Sequence, residues 1–271
     1  MCPTIRRSRN TGNIPANKTK NKNLWYTIHM DFKDKTVLIT GGSSGIGKTT
    51  ALLFAQNGAD VVITFKKNEA GAKETTNEME KLGVKTLAIQ ADLVFDDQAK
   101  DMVEKTVGKF GKLDIVVNNA GGYIEGDEWN GNVDIWTESI KQNLVSVMSV
   151  SKYAAEIFLK QKSGVFINIA SRHGVDGQYD SISYAASKSG VINVTQAYAK
   201  LLIPFGRANV ISPSTVWAGY WLTAPKEEID EKLAQKKNHQ FIKSETIAQK
   251  VLFLASDEAK DINGENFVIL E

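Results

Sequence analysis

Ser171, Tyr184 and Lys188 put a hydroxyl, a phenol and an ammonium into one short stretch, VFINIASRHGVDGQYDSISYAASKSGVINV, residues 165–194. Tyr184 and Lys188 are four positions apart, so on a helix their side chains leave the same face about one turn apart. A phenol with a free pKa of about 10 is a weak base at neutral pH. A neighbouring ammonium favours the phenolate and draws that pKa towards a working range. Together the three groups can give a proton to a substrate oxygen or take one away. The pair alone is weak evidence: seven tyrosines and 33 basic residues in 271 positions produce about one Tyr-x-x-x-basic pair by chance.

The surrounding elements give the pair its meaning. Residues 165–170 are apolar and strand-like, so Ser171 sits where a buried strand stops and Tyr184 and Lys188 ride on the helix that follows. Earlier, the β-branched run at 36–40 leads into Gly41-Gly42-Ser43-Ser44-Gly45-Ile46-Gly47 and then a helical pattern over 46–57, closed by Gly58. Strand, glycine-rich turn and helix in that order let a backbone approach a pyrophosphate, with free N–H groups and the positive end of the helix dipole facing it. The alternation continues with strands at 60–65, 84–90 and 113–117 and helices at 69–82, 96–110 and a long one at 133–161. It closes with strands at 207–212 and 266–270 around a helix at 244–256. This pattern predicts an α/β fold: a single doubly wound Rossmann domain, its mostly parallel sheet of about seven strands covered by helices on both faces. Ligands of such folds bind beyond the carboxyl ends of the strands. There the chain places Gly41 to Gly47, Asp92-Leu93, Asn118 to Gly121, Ser171 and Pro213.

Composition narrows the class. Hydrophobic residues at 42% and charged ones at 24% suit a globular protein with a sizeable core. The one cysteine, Cys2, excludes an internal disulfide and fits a reducing compartment, so a cytoplasmic location is expected. No apolar run reaches the length of a membrane helix. Residues 1–30 hold six of the 33 basic residues and no acid; the other 27 face 31 acids, so residues 31–271 carry a net charge of −4. A mildly acidic body disfavours nucleic acid as a partner. The basic N-terminal stretch, 1–30, reads as a disordered extension ahead of a single domain at 31–271. No metal-ligand cluster stands out, and none is assigned.

Taken together, TGGSSGIG at 40–47, Asp92-Leu93, NNAG at 118–121, Asn143 in KQNL, Ser171 and Tyr184-x-x-x-Lys188 resemble the short-chain dehydrogenase/reductase family across essentially all of 31–271. The resemblance implies a nicotinamide cofactor along the strand ends and hydride transfer between it and a carbonyl or alcohol. It implies that Gly41, Ser43, Ser44, Gly45, Ile46 and Gly47 border the ribose and pyrophosphate, and Asp92 and Leu93 the adenine. Asn119, Ala120 and Gly121 would pass under a cofactor ribose, with Pro213 and Val216 near the nicotinamide. Tyr184 would be the acid/base, Ser171 its partner on the substrate oxygen, and Lys188 the group that lowers the phenol pKa and holds ribose hydroxyls. Asn143 would kink its helix and hold a water. Strand 2 ends in Thr64-Phe65-Lys66-Lys67 with no carboxylate, which favours NADP(H) over NAD(H), with Lys66 on the 2′-phosphate.

Three departures from the family pattern stand out: Ser214 after Pro213, Ala218 where a threonine is usual, and Val268-Ile269-Leu270-Glu271 in place of a Val-Asp-Gly-Gly run. The substrate wall is expected from Tyr123, Arg172, His173, Trp217, Tyr220 and Trp221. Family likeness also implies a homo-oligomer, a tetramer or dimer, built on the helices at 133–161 and 181–203. Two other functions share the fold: a redox-inactive nucleotide-binding regulator, and a non-redox enzyme such as an epimerase.

Overall fold

The structure, a computed structural model, describes residues 30–270. Seven strands form one parallel sheet in the order β3-β2-β1-β4-β5-β6-β7. They are β1 (Thr36–Ile39), β2 (Asp60–Phe65), β3 (Thr86–Gln90), β4 (Ile115–Asn118), β5 (Gly164–Ile169), β6 (Gly206–Pro213) and β7 (Asn266–Ile269). The order reverses between β1 and β4, so the chain winds outward in both directions from that pair. Its strand ends define the crevice where such folds take ligands.

β1 reads as a continuous apolar run because both of its faces are covered. Val37 and Ile39 pack with Phe54 of α1 (Gly45–Gln56), Met79 of α2 (Glu69–Glu80) and Val251 of α9 (Ser244–Ala255). Leu38 faces the other way, towards Met102 of α3 (Asp96–Phe110), Phe158 of α5 (Ser146–Gln161) and Ala199 of α7 (Ile182–Leu201). Among the described residues there are three further α-helices: α4 (Val133–Ile140), the single turn α6 (His173–Asp176) and α8 (Lys226–Ala234).

Two sequence expectations change. The helix expected at 133–161 is not one regular α-helix: a π-helical turn, Lys141–Val145, separates α4 from α5. The Asn143 side chain donates to the Ser139 carbonyl, 3.0 Å away, and so occupies the acceptor that the residue-143 backbone N–H would use in an α-helix. A side chain inserted into the ladder opens it. Between the strand expected at 207–212 and the helix expected at 244–256, where the pattern predicts no element, lies α8, whose polar sequence carries too weak an apolar stripe to announce a helix.

Candidate active site

The glycine-rich turn between β1 and α1 is held from two sides. The Thr40 hydroxyl accepts from the N–H groups of Asn119 and Ala120, both at 2.9 Å, while Asn119 Nδ2 donates to the carbonyls of Thr40 (3.0 Å) and Gly41 (3.2 Å). Asn119 is therefore occupied in clasping the ends of β1 and β4. Gly41 and Gly45 sit at positive φ, and a Cβ on Gly47 would drive into the Gly41 carbonyl. Ser44, at the head of α1, makes no side-chain capping bond, and the first turn holds no acid. A glycine-rich cradle, before a helix end with no carboxylate, suits the phosphates of a dinucleotide.

Lys66, expected on a 2′-phosphate, is ion-paired with Asp92 at 2.8 Å. Asp92 does not cap α3, where Phe95 takes that position; it accepts from the Val94 N–H at 3.4 Å. Leu93 beside it is buried in the core.

The proton-handling residues meet at the end of β5. Ser171, 8% exposed, hydrogen-bonds the Tyr184 hydroxyl and accepts from the His173 N–H at 3.2 Å. Lys188 is 3% exposed; its Nζ donates to the Ile169 carbonyl at 3.0 Å and lies 5.6 Å from the centre of the Tyr184 ring. Burial lowers the Lys188 pKa to about 8. Burial also raises the Tyr184 pKa, against a smaller lowering from the Ser171 hydrogen bond. In the free protein desolvation sets the direction of that shift.

Asn143 is fully buried, and its amide clamps Gly122. Oδ1 accepts from the Gly122 N–H at 2.8 Å, and Nδ2 donates to the Gly122 carbonyl at 2.9 Å. The π-helical turn falls on this residue, and its side-chain amide is bonded to protein through both polar atoms. Gly121 has φ of 136°, and a Cβ there would press on Asn143 Oδ1.

The expected wall is partly assembled. His173 Nδ1 lies 2.9 Å from the Ser181 hydroxyl, its ring is edge-on to Tyr184 at 6.0 Å, and burial lowers its pKa, so it is neutral at neutral pH. Arg172 points elsewhere, paired with Asp176 at 2.6 Å, while its N–H donates to the Pro213 carbonyl. Beyond β6, Val216 bridges Ile242, and Trp217 stacks on Phe241, which also meets Trp221. Ala218 faces Gly45 of the glycine turn. Tyr220 is 58% exposed and bonds Glu228 of α8; Tyr123 is 53% exposed. Phe241 and Asp127 belong to this neighbourhood and were not singled out from sequence. Phe241 carries no motif, and Asp127 is one acid among 31.

The crevice is thus a glycine cradle beside a Ser–Tyr–Lys cluster at the carboxyl edge of a parallel sheet, an arrangement that binds a dinucleotide and moves a proton next to it. The chain belongs to the short chain dehydrogenase family, whose model matches residues 35–234. It is a nicotinamide-dependent oxidoreductase of that family. It is 35% identical over 237 residues to the 3-oxoacyl-acyl-carrier-protein reductase FabG of Thermotoga maritima, covering 87% of this chain and 96% of the relative. A short chain dehydrogenase from Burkholderia cenocepacia J2315, solved in complex with NADP, superposes with a TM-score of 0.81 at 29% identity, covering 88% of this chain and 96% of that one. NAD+-bound xylitol dehydrogenase gives 0.82 at 25% identity, covering 88% and 98%.

Proposed function

We propose that the protein is an NADP(H)-preferring reductase of apolar or aromatic carbonyl compounds, or the corresponding alcohol dehydrogenase. The observation that carries this is the meeting of Ser171, Tyr184 and Lys188 beside the glycine cradle. Gly41 to Gly47, Leu93, Asn119 to Gly121, Pro213 and Val216 would hold the cofactor, which when bound supplies or accepts a hydride. Tyr184 gives its hydroxyl proton to the carbonyl oxygen, or removes it in the reverse direction. Ser171 donates to the same oxygen, and a fixed donor aimed at developing negative charge lowers the barrier. A raised phenol pKa suits the proton-donating direction in the free protein. Lys188, close to its titration point at neutral pH, can restore the proton to Tyr184. Asn143 keeps Gly122, and with it the loop after β4, in place.

The absence of a carboxylate at the end of β2 supports NADP(H), with Lys66 and Lys67 meeting the 2′-phosphate. The Lys66–Asp92 pair must then open; a half-exposed pair is worth about 0–1 kcal/mol, a small cost. Trp217, Trp221 and Tyr123 support an apolar substrate. The catalytic domain is residues 31–271, with Phe32 already in the core, and a homo-oligomer is the proposed assembly. No helix among the described residues is long and apolar enough to cross a membrane.

The test is a panel of aromatic and aliphatic ketones with each reduced cofactor, followed at 340 nm, together with direct titration of both cofactors. Turnover with NADPH, its tighter binding, and a loss of about 10²–10⁴-fold in kcat for Tyr184→Phe are expected. Tighter binding of NADH, or an active Tyr184→Phe enzyme, overturns the corresponding part.

A further inference from the structure

We infer that Asp127 is a positioning residue for the proton donor: it caps helix α7 from outside and fixes Tyr184 relative to the loop after β4. This rests on the reading of Tyr184 as the acid/base. Asp127 is fully buried, yet no lysine or arginine side chain is bonded to it among the described residues. Its bonds go to the first turn of α7. Oδ1 accepts from the Ser183 N–H at 2.9 Å and the Ser183 hydroxyl at 2.6 Å, and Oδ2 accepts from the Tyr184 N–H at 2.7 Å. The Ser139 hydroxyl of α4 adds a longer bond at 3.4 Å, and the Asp127 carbonyl accepts from the Ile182 N–H at 3.0 Å.

Ser181, immediately before the helix, makes no capping bond of its own, and the first turn of α7 contains no acid. The orphan N–H groups of the helix that carries the chemistry are therefore satisfied by a carboxylate from 57 positions upstream. Ordinary capping is local and structural. Here one of the capped N–H groups belongs to the residue whose side chain moves the proton, so a shift of the carboxylate shifts the phenol.

The same loop is tied at its other end, where Asn143 grips both backbone polar atoms of Gly122. A further strut runs from the Trp129 N–H to the Tyr179 carbonyl at 2.9 Å. Tyr123 lies between the two clamps. Asp127 thus sets one distance that the reaction needs: from the Tyr184 hydroxyl to a substrate resting against the loop.

Asp127→Asn keeps the shape but replaces one acceptor with a donor facing N–H groups. Its kcat should fall by about 10- to 100-fold, the scale of a small misplacement of a reacting group. The NADPH Kd, measured by titration, should change less than about twofold, because the glycine turn is untouched. The solvent deuterium isotope effect on kcat should rise as proton transfer becomes limiting, which a purely structural role would not produce. If Asp127→Asn does not fold, Ser139→Ala combined with Ser183→Ala removes both hydroxyl donors and should move kcat and the isotope effect in the same direction. An unchanged isotope effect in a folded variant, with Tyr184→Phe inactive, overturns the role of Asp127 alone. An active Tyr184→Phe enzyme overturns the reading beneath it.

Discussion

Lys188 shows how far burial can set the chemistry of one side chain. Its amine is 3% exposed, with a backbone carbonyl as its bonded partner, and its pKa falls from 10.5 to about 8. In the unfolded chain the amine keeps its proton to about pH 10.4. Between those two values the unfolded chain binds more protons than the folded one, so this group makes stability rise with pH; below pH 8 its burial penalty is present in full. That penalty is about 3 kcal/mol. Lys188→Met should therefore abolish turnover yet raise the Tm of the cofactor-free protein at pH 7 by about 6–12 °C. The gap to wild type should close as the pH approaches 10. Calorimetry across pH checks both signs, and a Tm that falls at pH 7 would contradict the burial argument. His173 acts in the same sense at lower pH: burial lowers its pKa, so protonation below its unfolded pKa favours the unfolded chain.

At the scale of elements, the glycine turn and helix α7 are positioned by opposite means. The turn is held by what is missing. A methyl group on Gly47 would meet the Gly41 carbonyl and the Asn119 amide, the contacts that join β1 to β4. Gly47→Ala should fold, because the sheet core is untouched, but should weaken NADPH binding by about tenfold or more, equivalent to about 1.4 kcal/mol. Isothermal titration with far-UV dichroism as the folding control measures it. Helix α7 is held by what is added: a carboxylate from another loop at its N-terminus, and Gly174 of α6 packed so closely that a Cβ would press on Lys188. The π-turn belongs with these devices. Asn143 spends one amide N–H on opening its own helix and the rest of its amide on Gly122.

For the whole molecule, two apolar layers sandwich the sheet and make its carboxyl edge rigid. Phe166 of β5 is fully buried between Phe158 at 4.8 Å and Tyr198 at 5.4 Å, on the strand that leads to Ser171. Phe166→Ala should cost about 3–5 kcal/mol and lower Tm by about 6–20 °C. Below that transition kcat should be nearly unchanged, because the deletion lies beneath the sheet and not at its edge. Thermal melts and assays at 25 °C separate the two effects.

The sequence alone determined the fold class, the order of the strands along the chain, and the family. Those depend on local signals: apolar runs of strand length, glycines at a strand end, and a Tyr and a Lys four apart on a helix. Their order along the chain also placed Gly41 to Gly47, Ser171, Tyr184 and Lys188 at one edge, because every parallel strand of a doubly wound sheet delivers its carboxyl end there. Only the tertiary structure decided which groups pair across that edge and how deeply they are buried. It joined Lys66 to Asp92, turned Arg172 away to Asp176 and closed Asn143 on Gly122. It buried the Tyr184 phenol, and desolvation raises its pKa. It also brought Asp127 to the head of α7. Hydrogen bonds and desolvation act through space between residues that are distant in the chain, and spacing along the chain does not encode them.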